Sequence, residues 1–131
     1  MNPNSVIDGI GTTLTVGFPT TRVYTYATDR IEPPSFVVLV ETIVYDATDR
    51  RNSDIWDFIV WAIVGRVSDR TARPALGGYL HPSTGVKGIL EANKTLSGAC
   101  DSLRVTEAEV STLTIAGTEY LGAMFTVNVI G

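Results

Sequence analysis

Cysteine and histidine occur once each, as Cys100 and His81, and lysine only twice, as Lys87 and Lys94. A single cysteine excludes an intramolecular disulfide and a cysteine-based zinc site. It also argues against a secreted, oxidising home. A Cys/His nucleophile pair needs both side chains in contact, and these two lie far apart in the chain. Cys100 reads as a small buried hydrophobe, and His81, directly before Pro82, as a hinge or cap. No Gly-x-Ser-x-Gly and no His-Glu-x-x-His occurs, and neither Gly9-Ile10-Gly11 nor Gly77-Gly78 leads into a phosphate loop. No apolar run reaches membrane-spanning length. Met1-Asn2-Pro3-Asn4-Ser5 lacks the basic and apolar regions of a signal peptide. The formal charge of -4, with so few lysines, disfavours a tight grip on nucleic-acid phosphates.

What the chain does have is β-branched and aromatic residues. With 131 residues, 44% hydrophobic and 18% charged, it reads as one globular domain able to bury a core. The stretch from Ser35 to Val67 organises the rest. Two Val/Ile-rich runs flank a charged break, Asp46-Ala47-Thr48-Asp49-Arg50-Arg51-Asn52-Ser53-Asp54, which is the pattern of a long hairpin. Along the second run, Trp56, Phe58, Val60, Ala62 and Val64 share one parity. Ile55, Ile59, Trp61 and Ile63 share the other, with only Asp57 polar among them. A strand with one wet face alternates apolar with polar. This one is apolar on both sides, so both faces require cover, and a neighbouring copy of the chain is the expected source of the second. Trp56 and Trp61 lie five apart, so they point to opposite faces.

The remaining elements follow from spacing. Asn2-Pro3 starts a helix whose stripe is Val6, Ile7, Ile10 and Leu14, ended by Gly17-Phe18-Pro19. Arg22–Tyr26 is a short strand, and Pro33-Pro34 forces extended chain into the hairpin. Ser68 or Asp69 caps a second helix with Pro74 in its first turn and Ala72, Leu76, Tyr79 and Leu80 as its stripe. Gly77-Gly78 mark close packing or a distortion. Ser83 caps a third helix carrying Val86, Ile89 and Leu90. Leu103 to Ile115 is strand with a bulge near Glu107, followed by a turn at Ala116-Gly117-Thr118. The last run buries Leu121, Ala123, Phe125, Val127 and Val129. The expected fold is α+β: a mostly antiparallel sheet of four to five strands, an N-terminal helix, two short helices between hairpins, and helices on one face.

Carboxylates recur at Glu107/Glu109 and at Asp46, Asp49 and Asp54, but without the spacing of a calcium loop or an acid–base pair, so solvated surface is the expectation. Neither a catalytic, a cofactor nor a metal site is expected. Arg50-Arg51, the one adjacent basic pair, is either a hairpin tip balanced by its aspartates or a contact loop presenting arginine to a partner. The candidate interface residues are therefore Arg50, Arg51, Asp54, Trp56 and Trp61.

Several marks occur in a familiar order. They are Arg22-Val23-Tyr24 with Pro33-Pro34; Val64-Gly65-Arg66-Val67-Ser68-Asp69-Arg70; Leu80-His81-Pro82-Ser83-Thr84-Gly85; Ile89-Leu90-Glu91-Ala92-Asn93-Lys94-Thr95-Leu96; and Tyr120-Leu121-Gly122-Ala123. In this the chain resembles the tail terminator proteins of long, non-contractile-tailed phages, especially actinobacterial ones. Pro74 and Gly77-Gly78 depart from the more regular helix of that family. The resemblance implies a virion structural protein of the tail and neck, assembled in the host cytoplasm. It implies a hexameric ring that caps the tail tube, stops its polymerisation and meets the head connector, while DNA passes through the lumen without specific binding. A ring of like subunits needs a patch that meets a different patch. The alternatives are a head-completion or tube protein of the same machine and, more distantly, a small ligand-binding domain or enzyme using Glu107, Glu109 or Asp57.

Overall fold

The two longest β-branched runs are both strands in the computed structural model, which describes residues 3–25, 34–44, 55–68, 70, 72–115 and 117–130. They are β2 (Ser35–Val44) and β3 (Ile55–Arg66), antiparallel neighbours in register from Ser35↔Ile63 to Val44↔Ile55. Three further strands complete one sheet: β1 (Arg22–Tyr24), β4 (Ser102–Ile115) and β5 (Thr118–Ile130). The order across it is β1-β2-β3-β5-β4. Tyr26, Pro33, Asp46, Asp49, Arg50, Arg51, Asp54 and Asp69 lie outside the described residues.

The α+β expectation holds with a mixed sheet. β1 runs parallel to β2, where antiparallel pairing dominated the sequence reading. A parallel partner requires the chain to return along the strand before pairing.

All the described helices pack on one face. In α1 (Pro3–Gly17), Val6, Ile10 and Leu14 recur every four residues and are fully buried. Thr13 and Thr15 donate their hydroxyls to the Gly9 and Gly11 carbonyls at 2.8 Å, which occupies side chains that otherwise compete with the helix. Phe18, Phe36 and Tyr79 form a three-ring cluster with centroids 5.1–5.4 Å apart. It joins the end of α1, the start of β2 and α2 (Ala72–Leu80). The Tyr79 hydroxyl shares a 2.8 Å hydrogen bond with Thr21, so the half-buried ring packs without orphaning its polar tip.

Pro74 sits in the first turn of α2, as its missing N–H demands. The helix starts at Ala72, so Ser68 is too far upstream to cap it. Gly77 and Gly78 are exposed, with nothing within 4 Å of where a side chain would begin. They therefore serve no close packing among the described residues. The next helix, α3 (Val86–Glu91), is also not capped by Ser83. Its N-cap is Gly85, with no side-chain hydrogen bond. The backbone N–H groups of Ser83 and Thr84 instead donate to His81 Nδ1 at 3.1 and 3.3 Å. The folded-back turn presses the Ser83 carbonyl against α3, where a Cβ on Gly88 would lie 1.9 Å from that oxygen.

A 3-10 turn at Leu96–Gly98 follows, with Leu96 and Ser97 in the left-handed region at φ 48 and 58. That backbone costs on the order of 1–3 kcal/mol per residue. The Leu96 side chain is buried beside Gly9 of α1, which offsets part of it. β4 then runs along the sheet edge. Its register shifts between Val105 and Glu107, so the bulge lies where the parity change placed it. At the bulge the exposed edge is closed by α3: Glu91 accepts the Val105 N–H at 3.3 Å, and Lys87 donates to the Val105 carbonyl at 3.5 Å and to Glu91 itself. Side chains that occupy edge groups in this way block pairing with foreign strands.

Two predictions arise from the helices. Gly77→Ala and Gly88→Ala have opposite signs in thermal melts. The first stabilises by about 0.5–1 kcal/mol through helix propensity, and the second destabilises by about 3 kcal/mol through overpacking against backbone. The second prediction concerns pH. The Lys87 hydrogen bond, opposed by burial and helped by the Val105 N–H, holds the Glu91 carboxyl below its ordinary range. A lowered folded-state pKa stabilises above the ordinary value of 4.5 and loses that contribution as pH falls through the folded value. The stability gap between wild type and Glu91→Gln, under about 1 kcal/mol for so exposed a pair, closes below pH 4.5.

Candidate interaction surface

Side chains alternate along β3, so one strand serves two environments. Toward the helices point Trp56, Phe58, Val60 and Ala62, all buried. Trp56 is the core tryptophan: it is 3% exposed and stacks on Phe58 at 5.8 Å and 21°. Its Nε1 has no hydrogen-bond partner among the described residues, a cost of about 1–3 kcal/mol that the burial of so large a ring offsets.

The other face carries Ile55, Ile59 and Trp61, each half-buried. Val37 (6% exposed) and Ile63 (1%) are buried there too. Among the described residues they are the two buried hydrophobics outside the main core cluster, which contains the inner residues of all three α-helices. No described helix therefore covers this face.

Its layout follows from register. Val37, Trp61, Met124 and Glu109 are paired in one row across β2, β3, β5 and β4; Leu39, Ile59, Thr126 and Glu107 form the next. Each row spans about 14 Å at the usual strand spacing and grades from apolar at β2 to a carboxylate at β4. On one side the block is closed by Asp57, which accepts a 3.0 Å hydrogen bond from Asn128 Nδ2, with Arg104 next in register. On the other side Gly122 lies so close to β3 that a Cβ would sit 2.6 Å from the Ala62 carbonyl oxygen, leaving a notch beside Met124.

Of the sequence-predicted site residues, Arg50, Arg51 and Asp54 lie outside the described residues. Trp56 is in the core, and Trp61, half-buried, stands on the face that no described helix covers. Glu107 and Glu109, read from sequence as solvated surface, are exposed as expected. Their place at the ends of two apolar rows depends on which strand β5 pairs with, and no sequence signal carried it. Sequence reasoning also passed over three exposed arginines, Arg66, Arg70 and Arg73, clustered where β3 leads into α2.

Two shallow grooves flank the exposed Val16 of α1. One, of about 350 Å³, is lined by Asp8, Thr12, Thr15 and Val23 among others, and the second, of about 410 Å³, by Thr13, Ile89 and Asn93 among others. Neither contains Asp57, Glu107 or Glu109. Cys100 is buried, its thiol donating to the Lys94 carbonyl at 3.4 Å, and burial with the nearby Asp101 pushes its pKa up. Such a thiol is a poor nucleophile. No protein-family model matches the chain, and no curated protein matches it.

The two tryptophans separate core from surface in a test. Trp56→Ala destabilises the subunit by about 3–5 kcal/mol in urea denaturation. Trp61→Ala costs less than half of that, because part of its surface is already in water.

Proposed function

We propose that the chain is a structural subunit of the tail-terminator kind: copies assemble into a ring that caps a phage tail tube, stops its polymerisation and meets the head connector. One observation carries this reading. The sheet face around Trp61 keeps Leu39, Ile55, Ile59 and Met124 half-exposed with no described helix over them. A contiguous apolar block rimmed by polar residues marks an interaction site. The ordered sequence marks from Arg22 to Tyr120-Leu121-Gly122-Ala123 support the same reading by resemblance. The net charge of -4 suits a wall past which DNA moves without being held. A connector or tube protein of the same machine shares these properties. The enzyme alternative has no specific observation in its favour, since Glu107 and Glu109 are exposed on a flat sheet face rather than gathered in a cleft.

The test is assembly. Sedimentation velocity of the purified chain over a wide concentration range is expected to give a discrete oligomer. Negative-stain images are expected to show closed rings that halt elongation of tail-tube protein. Open filaments in place of rings identify a tube protein; a monomer at all concentrations, without effect on tubes, refutes the ring.

A further inference from the structure

Around Trp61 the sheet face has no described helix over its half-buried Ile59, Trp61 and Met124, although its Ser35, Val37 and Ile63 end is buried; a cover for it needs a particular shape and charge, and the outer surface of α2 has both. Arg73, Pro74, Gly77 and Gly78 share the solvent side of that helix, one turn apart. Gly77 and Gly78 carry no side chain and have open space above them, and Pro74 adds only its compact ring. No contact among the described residues explains two adjacent glycines in a nine-residue helix, where they cost about 1 kcal/mol each. A smooth helix face does let a second surface come close to the backbone, as small residues do wherever helices pack tightly. The adjoining arginines are exposed, and among the described residues Arg70 and Arg73 make no ion pair.

We propose that the sheet face of one copy is covered by α2 of the next. Gly77 and Gly78 lie over Trp61, Ile59 and Met124, and Arg73 reaches Glu109, with Glu107 beside it. The dimensions agree. Arg73 and Gly78 are about 7 Å apart along the helix axis, and the extended arginine side chain carries its charge on toward the carboxylate end of a row about 14 Å long. The signs agree as well: both rows end in a carboxylate, and the helix carries its cation at one end only. Direction agrees too. α2 lies on the helical side of the sheet and the face around Trp61 on the opposite side, so the two patches of one protomer point apart. Patches so placed join copies head to tail, the arrangement that closes into a ring when the rotation allows. The occupant is thus a second copy of this chain, and the inference rests on the assembly proposed above while naming its interface.

The experiment is sedimentation velocity of the full chain with four variants. Gly78→Gln replaces glycine by a good helix former in open space, so the monomer melts at the same temperature or higher, yet assembly is lost. Arg73→Glu and Glu109→Arg each weaken assembly by about tenfold, the scale of a charge contact turned repulsive. The double variant Arg73→Glu/Glu109→Arg returns to within about threefold of wild type. Losses that simply add in the double variant, or a Gly78→Gln protein that assembles like wild type, overturn this interface while leaving the ring itself standing. Wild-type protein that stays monomeric at every concentration removes the ring and the interface together. Mild oxidation of Trp61→Cys provides a further check. Efficient disulfide-linked dimers from that single variant place sheet face against sheet face and overturn the proposal; Trp61→Cys/Gly78→Cys is expected to cross-link into closed multimers instead.

Discussion

Strand β3 is apolar on both sides, and the rest of the subunit is arranged around that constraint. On one side the helices supply the cover: Val6, Ile10 and Leu14 from α1, Ala72 and Leu76 from α2, Val86 and Leu90 from α3. Burial of this kind is the dominant favourable term in folding, and the three-ring cluster of Phe18, Phe36 and Tyr79 ties the layer to the sheet. On the other side Trp61 and its neighbours have no described helix above them. The described residues therefore form two layers, with the described helices on one face of the sheet only.

The same structure protects what it does not intend to pair. An edge strand invites foreign strands, and β4 is fourteen residues long. The bulge at Val105/Glu107 and the Lys87–Glu91 pair that occupies the Val105 backbone interrupt it. Past the bulge, the shifted parity turns Val110 toward the helical side, beyond the helices themselves, where it is 54% exposed. The device that limits edge pairing also sets Glu107 and Glu109 on the face of Trp61, at the ends of the two rows. A single extra residue in β4 thus bears on both the edge and the face.

Function follows from that asymmetry under the proposed reading. A subunit with its apolar block on one side and a smooth, arginine-ended helix on the other has distinct donor and acceptor surfaces. Distinct surfaces build rings, whereas a self-complementary patch builds pairs. An exposed glycine pair in α2 weakens the isolated helix, and the proposed interface gives it a role.

Much of the fold was legible because it depends on local periodicity. The stripe Val6, Ile10, Leu14 defined α1; the two parities of β3 separated Trp56 from Trp61; the parity change in β4 located its bulge; and the final alternation picked out the buried side of β5. Caps were less legible. The Ser83 N–H and carbonyl were taken by His81 and by the approach to Gly88, competing contacts that are close in space but not implied by spacing. The sequence by itself determined which residues share a side of each strand, because alternation is a property of the chain alone. Only the tertiary structure decided that β5 lies between β3 and β4, that β1 runs parallel to β2, that Trp56 faces the helices, and that Trp61, Met124 and Glu109 stand in one row. Those outcomes depend on which distant segments pair, and pairing is chosen by the burial of the whole core, where no short stretch has a deciding share.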